Sequence, residues 1–246
     1  MASSYDRNKV RIARLLGPHP ATQSVMPTTV LFTRQNLQQM IKKHPMLYLK
    51  PSAGCQSRGV IRVTRGANGY IIRGLYRRNS VLTSSELYTT LQRQINGQRY
   101  IIQQGIDSED RQGNHFDIRV HLFRINRQWK VGGMAARVAE PNGIVAGLHQ
   151  GGTALTLPRF MMNHLGYGPG QQNNVTAKLE DAALKAVRIV SKTVPRKSEM
   201  AVDMGIDRSH RVWIFEVNYA LPAIRLFQFA DKDLFRKLLS LRKKAQ

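Results

Sequence analysis

The run VWIFEVN carries Glu216 and Asn218 two residues apart. On a strand, side chains at that spacing face the same side. Their apolar company (Val212, Trp213, Ile214, Phe215 and Val217) predicts a largely buried strand. Asp203 lies in the preceding run, AVDMGI. If Ser209 and His210 make a two-residue turn, residue 208 opposes 211 and Asp203 opposes Glu216, with Asn218 on the same face. Two carboxylates held that close repel each other unless a cation sits between them. Oxygen donors of this kind suit Mg²⁺ or Mn²⁺, and Mg²⁺ keeps waters and binds substrate phosphates as well. The residues leave a second reading open, in which Asp203 or Glu216 pairs with one of the arginines of a basic chain.

A second chemical feature is YLKPSAGCQSRGV, a strand ending in Lys50 followed by a loop with Gly54, Ser57 and Gly59. Glycine permits close backbone approach, and exposed N–H groups can cradle phosphate oxygens. A lysine beside such a loop adds a mobile positive charge. The spacing is neither a Walker A motif nor a dinucleotide fingerprint, because no helix follows. By itself the segment also reads as an ordinary hairpin loop.

The elements that must position these residues alternate between helix and strand. Thr33 can cap a helix over about 34–43, and the strand MLYLK follows and stops at Pro51. GVIRVTR and YIIRGLYR flank an Ala67-Asn68-Gly69 turn, which is a hairpin signal. Ser84 or Ser85 can start a helix over about 85–95. RYIIQQGI, HFDIRVHLFRI and WKVGGMAARVAE are rich in β-branched and aromatic residues, as strands are. Residues 141–173 read as the longest irregular stretch. Helical apolar spacing returns at Leu179, Ala183, Val187 and Val190, and a basic helix of about 231–244 closes the chain. Hairpins mixed with helices predict an α+β fold.

The 246 residues hold 38 Lys and Arg against 15 Asp and Glu, a formal charge of +23. At 42% hydrophobic, the chain can bury a core, which excludes disorder as the default despite that charge. One cysteine, Cys55, excludes an internal disulfide framework and fits a reducing compartment. No apolar run reaches the roughly 18 residues that span a bilayer, and MASSYDRNKVRIARLL lacks the apolar stretch of a secretory signal. The expectation is a soluble, cytoplasmic protein drawn to polyanions. Residues 58–99 hold eight Arg and one acid, Glu86, and residues 231–244 hold six basic side chains. Aromatics make up only 7% of the chain and no recognised nucleic-acid motif occurs, so sequence-specific nucleic-acid readout is unsupported.

The order of these motifs resembles the YheC/YheD-type (endospore-coat-associated) ATP-grasp family and, more distantly, RimK-type and D-alanine–D-alanine ligases. The matching segments are YLKP with its Gly-rich loop and GVIRV, YIIQQGI, HFDIRV, GGMAARVAEPNGIVAGLHQGG, and AVDMGID with VWIFEVN, over roughly residues 8–240. The resemblance implies an ATP-grasp fold in which two α+β lobes clamp ATP. Residues 1–32 would be a remnant of the preceding lobe and 33–246 the ATP-grasp domain, with about 46–100 the small nucleotide-clamping lobe and about 101–246 the larger lobe with the metal site. Lys50 would contact the ATP phosphates together with the loop from Ser52 through Gly54 and Ser57 to Gly59. Gln103, Gln104 and Ile106 would fall on the hinge that holds adenine. Asp117 would lie near the ribose. Arg119 and Arg137 would face the phosphates, and His149 the acceptor region. Asp203, Glu216 and Asn218 would hold Mg²⁺ or Mn²⁺. Lys9 matches a second ATP lysine of the family only loosely.

The implied activity is ligation of a carboxylate to an amine through an acyl phosphate, with ATP and a small carboxylate, amino acid or peptide as substrates. Two departures fall near the acceptor side. Gly147 stands where related ligases often carry Asn, and Tyr219-Ala220-Leu221-Pro222-Ala223 replaces the usual small-residue-Pro-Gly ending. The alternative is a non-catalytic module of the same fold that binds a polyanion or a spore-layer component, in keeping with association with the spore coat. Three basic site residues cannot account for a charge of +23, which implies a second anionic partner, either an acidic acceptor or a polyanionic surface.

Overall fold

Some strands of the protein alternate buried and partly exposed residues, and others are buried along nearly their whole length. The computed structural model describes residues 9–53, 57–75, 77–220 and 222–245. The chain divides into two units, one comprising Asp6–Arg14 and Pro27–Ile106 (the N-terminal unit) and one comprising Met1–Tyr5, Leu15–Met26 and Asp107–Gln246 (the C-terminal unit). Among the described residues no helix is long and apolar enough to cross a membrane.

In chain order, the elements to the end of the N-terminal unit are α1 (Lys9–Leu16), β1 (Thr29–Leu31), α2 (Arg34–Lys43), β2 (Met46–Pro51), β3 (Ile61–Gly66), β4 (Gly69–Arg73), β5 (Arg78–Val81), α3 (Ser84–Ile95) and β6 (Tyr100–Gln104). They form an antiparallel sheet of order β1-β6-β2-β3-β4-β5. One face of it carries Leu47, Leu49, Val63, Ile72 and Ile102, which share a core with Leu37 of α2 and Leu87 and Leu91 of α3. Thr33 caps α2 by accepting from the Asn36 N–H, as its sequence predicts. The start of α3 is corrected. Thr83, not Ser84 or Ser85, is the cap, because Glu86 three residues on completes a reciprocal capping box with it.

The C-terminal unit continues with β7 (Phe116–Ile125), β8 (Gln128–Val138), β9 (Thr153–Thr156), α4 (Leu157–Phe160), α5 (Pro169–Ser191), β10 (Glu199–Ile206), β11 (Val212–Asn218), α6 (Arg225–Ala230) and α7 (Lys232–Lys244). Its sheet runs β11-β10-β7-β8-β9. The buried stripe of α5, from Val175 through Leu179 and Ala183 to Val190, packs along this sheet. Alternation along β7 sends Ile118 and Val120 to one face and Asp117 and Arg119 to the other. Phe123 and Ala135 share a second core with Phe227 of α6 and Leu238 of α7.

The expected irregular stretch at 141–173 is also corrected. It contains a short turn at Leu148–Gln150, the edge strand β9, α4, a five-residue π-turn over Met161–Leu165 and the first turn of α5. Pro169 occupies a first-turn position of α5, where its missing N–H costs nothing, so the helix starts inside the stretch expected to be irregular.

Candidate active site

The C-terminal hairpin puts Asp203 and Glu216 opposite each other, as the residue spacing predicts, but by a different route. The loop is one residue longer than a two-residue turn. Ile206 pairs with Val212, and the Asp207 N–H donates to the Arg211 carbonyl. His210 closes the loop at φ +57°. Phe215 is then the extra residue of a β-bulge on β11, which restores the register so that Asp203 faces Glu216 and Ala201 faces Asn218. Two deviations of one residue each cancel at the site.

Neighbouring strands complete a charged face. Asp203 opposes Arg119 of β7, and Asp117 of β7 opposes Arg137 of β8. The Arg119 guanidinium forks onto Asp203, with Nε and Nη2 donating to Oδ1 and Oδ2 at 2.8 Å each. Arg137 forks onto Asp117 at 2.6 and 2.8 Å, and its Nη2 also lies 3.3 Å from Asp203 Oδ1. The Asn218 amide donates to Asp203 Oδ2 at 3.1 Å. These are the two-point contacts that make guanidinium–carboxylate pairs rigid.

Side-chain exposure at Asp203, Arg119, Arg137 and Asp117 is 11–20%, so the charges are poorly hydrated and strongly coupled. Burial pushes the Asp203 carboxyl up, but the guanidiniums of Arg119 and then Arg137 outweigh it and hold the group well below the usual carboxylate range. Asp117 moves the other way. Burial raises its carboxyl, and the nearby Asp203 charge adds to the rise against the pull of Arg137. Burial opposes the charge on Arg137, yet Asp117 and Asp203 keep its guanidinium more firmly protonated than usual.

Both readings of Asp203 therefore meet in one arrangement. The arginine pairing is present, and so is the shared face of Asp203, Glu216 and Asn218. Among the described residues no three His, Cys, Asp or Glu side chains gather as a metal cluster. The donor set here is instead two carboxylates and an amide, hard oxygen ligands of the kind that suits Mg²⁺ or Mn²⁺. The residues fit such an ion in kind.

The segment after Asn218, where the sequence departs from related ligases, is held by the same arginine chemistry. Arg119 Nη1 donates to the Ala223 carbonyl at 3.2 Å, and Arg242 of α7 donates to the Pro222 carbonyl at 3.3 Å. Leu221 lies outside the described residues. Arg242 also forks onto Glu199, whose Oε1 lies 2.7 Å from Nε2 of the fully buried His121. This His121–Glu199–Arg242 chain was not foreseen, because its members stand 78 and 43 positions apart and are joined only by the pairing of β10 with β7 and the packing of α7 on the sheet.

In the N-terminal unit, Lys50 and Gln103 come together. Lys50 Nζ donates to Gln103 Oε1 at 2.6 Å, and the Gln103 amide donates to Thr29 Oγ1. Gln104 is tied to Thr28 by both its N–H and its side-chain oxygen. Ile106 is buried and is the last residue of its unit. The Ser52 N–H is committed to the Arg99 carbonyl, and the Ser52 carbonyl accepts from the Lys9 N–H, which brings Lys9 beside the loop. Gly54 lies outside the described residues. Ser57 adopts φ +55°, and Gly59 adopts φ +73° while its carbonyl accepts from the Tyr100 hydroxyl. A Cβ at Gly59 would meet that hydroxyl at 2.6 Å, so this glycine has a packing reason of its own.

His149 stands in the Leu148–Gln150 turn that leads into β9. Gly147 starts the turn. Its carbonyl accepts from the Gln150 and Gly152 N–H groups, and a Cβ there would clash with the Gln150 side chain.

The chain matches the profile of the YheC/D-like ATP-grasp family over residues 1–242. It is 27% identical over 219 residues to the endospore coat-associated protein YheD of Bacillus subtilis (strain 168), covering 86% of this chain and 47% of YheD. It spans about half the length of the curated relatives it matches. Among solved structures, it superposes on D-cycloserine synthetase DcsG with a TM-score of 0.57 at 16% identity, covering 96% of this chain and 72% of that one. The VanG D-Ala:D-Ser ligase of Enterococcus faecalis gives a TM-score of 0.54 at 14% identity, covering 96% and 61%.

Proposed function

Since the chain belongs to the YheC/D-like ATP-grasp family, we propose that it is an ADP-forming ligase that joins a carboxylate to an amine. The observation that carries this is the single strand-register face on which Asp203, Glu216 and Asn218 stand with Arg119 and Arg137. The fold likeness to ligases supports the reading in general, and the relatives' names supply no substrate.

The chemistry asks for charge neutralisation more than for a strong base. A carboxylate oxygen of the substrate attacks the γ-phosphorus of ATP, the bond to the bridging β–γ oxygen breaks, and ADP leaves. The amine nitrogen then attacks the acyl carbon, the carbon–oxygen bond to phosphate breaks, and an amide and phosphate result, with the amine proton lost to solvent. Asp203, Glu216 and Asn218 would hold a divalent cation, which would supply Lewis-acid charge to phosphate oxygens. Arg119 and Arg137 are fixed by their carboxylate forks, so they present positive charge without reorganising as negative charge builds. Lys50, held by Gln103, is the phosphate-contacting residue we assign in the N-terminal unit. His149 belongs, in this proposal, to the acceptor side. We carry association with the endospore coat over from the relatives' names on the same footing.

An ADP-release assay over pooled amino acids and small carboxylates, with and without Mg²⁺, tests the reading. Metal-dependent ADP release that needs an added carboxylate supports it. Tight nucleotide binding without release across all pools would favour a non-catalytic module.

A further inference from the structure

In the C-terminal sheet, Asp203 of β10 opposes Arg119 of β7, and Ala201 opposes His121. Glu199, two residues before Ala201, therefore stands on the same strand face as His121 and the Asp203–Arg119 pair. His121 is fully buried against Phe123 of β7 and Phe227 of α6, with ring centroids 5.0 and 5.8 Å away. Its Nδ1 has no hydrogen-bond partner among the described residues. Its Nε2 lies 2.7 Å from Glu199 Oε1. A carboxylate oxygen only accepts, so Nε2–H is the donor, and burial keeps the imidazole neutral. Glu199 also takes the fork of Arg242, from Nε and Nη2. The same Nη2 donates to the Pro222 carbonyl at 3.3 Å. The next carbonyl along the chain, that of Ala223, accepts from Arg119 Nη1 at 3.2 Å, while Nε and Nη2 of Arg119 stay on Asp203. The contacts close a ring that runs from His121 through Glu199, Arg242 and the Pro222–Ala223 segment to Arg119, and back along β7. The helix that carries Arg242 is seated directly on the sheet, because Leu238 is buried and a Cβ on Gly133 of β8 would stand 2.9 Å from Leu234 Cδ1.

We infer that Arg242 is a positioning residue that acts through Arg119: by holding the Pro222 carbonyl it keeps the Ala223 carbonyl in place for Arg119 Nη1. A guanidinium forked onto a single carboxylate can still tilt together with that carboxylate. A further contact to a different segment removes that freedom, which is what a supporting shell does for a charged group that must stay aimed. The position calls for arginine. Two nitrogens go to Glu199 and one of them also reaches Pro222, a planar arrangement that the point charge of a lysine does not reproduce. The side chain of Glu199 is 17% exposed and that of Arg242 41%, so the carboxylate is the fixed end and α7 brings the arginine to it. Arg236 of the same helix differs, because it pairs with Asp233 of α7 itself and is 73% exposed. The inference rests on the ligase reading in one respect, that Arg119 faces phosphate. The ring of contacts does not depend on that reading.

The test compares Arg242→Gln with Arg236→Gln on the full chain by two readouts. The first is ADP release at varied Mg²⁺–ATP with pooled amino acids and small carboxylates. Arg242→Gln is expected to lower kcat about tenfold with KM for ATP within about twofold of wild type, and Arg236→Gln to leave both within about twofold. The second is solvent exchange of the Arg119 Nε–H proton, followed by NMR, which needs no turnover. Exchange is expected to quicken about threefold or more in Arg242→Gln and to stay at the wild-type rate in Arg236→Gln. Unchanged exchange in Arg242→Gln overturns the inference. So does quicker exchange with wild-type kcat, or with a rise in KM alone, in an active enzyme. Equal effects in the two variants would reduce the change to lost charge and overturn it too. If wild type releases no ADP from any pool, the ligase reading fails, and the exchange readout decides by itself whether Arg242 holds Arg119. If Arg242→Gln does not fold, Glu199→Gln, which keeps the shape of the side chain and loses its carboxylate, carries both readouts. Changes of about threefold are then expected, and wild-type values in both overturn the inference.

Discussion

Across the polar face of the C-terminal sheet, opposite charges meet: Asp117 with Arg137, and Asp203 with Arg119. Across the polar face of the N-terminal sheet, like charges meet: Arg62 with Arg73, and Arg73 with Arg78. The antiparallel register that aligns side chains is the same in both. The first arrangement holds its own counterions and is fixed before any ligand arrives. The second sets like charges side by side across three strands. The contrast teaches that a high positive charge is not one property of this chain. Part of it stands in forks onto carboxylates, and part stands in a row of like charges.

Removing one member of the balanced network should have the largest effect. Asp203→Ala takes the forked carboxylate from Arg119 in a site only 11–14% exposed, and should cost about 3–5 kcal/mol in urea unfolding. A cost below about 1 kcal/mol would mean that the network is effectively solvated and that the comparison fails. Acid should act on the same unit. Asp203 and Glu199 have folded carboxyls below their ordinary values, and burial lowers the His121 imidazole despite its bond to Glu199. In all three the unfolded chain binds protons first, so stability is present at neutral pH and falls as pH drops. The histidine share begins below about pH 6.5 and the carboxylate share below about pH 4. His121→Phe should remove the earlier loss and flatten the fall in stability between about pH 7 and 5, read by urea unfolding across that range. An unaltered slope would clear His121 of that role.

The N-terminal unit should answer differently. Its α3 cap is worth more than its central arginine. Thr83→Ala removes the capping box and should cost about 1 kcal/mol. Arg73→Gln removes repulsion together with some packing and should fall within about 0.5 kcal/mol of wild type in either direction. Chemical denaturation of both variants sets the order, and a larger loss at Arg73 than at Thr83 would mean that the contacts of Arg73 outweigh the repulsion from its neighbours.

The strands were legible in the sequence because alternation and β-branched residues report burial directly. Thr33 was legible as a cap. Thr83 was not, because two serines follow it and only the position of Glu86 decides among the three. The meeting of Asp203 and Glu216 was legible for a partly fortuitous reason, since the longer loop at His210 and the bulge at Phe215 offset each other. Neither has a strong local signal. The excess of arginines in 58–99 was visible, but their alignment was not, because it depends on the register of three strands at once. The ion pairs of Asp203 were open as one of two readings, and only the neighbouring strand β7 selects Arg119. The turn and strand at 148–156 hid behind glycines that look like loop but serve close backbone packing.

The central claim is that Asp203, Glu216 and Asn218 form a metal-assisted phosphoryl-transfer site beside Arg119 and Arg137. Its most direct test is ADP release from ATP by wild type and Glu216→Gln, with pooled carboxylates and amines, titrated with Mg²⁺. The account predicts Mg²⁺-dependent release by wild type and a loss of about 100-fold or more in the variant, with the fold retained. Full ATP-dependent turnover by Glu216→Gln would contradict it.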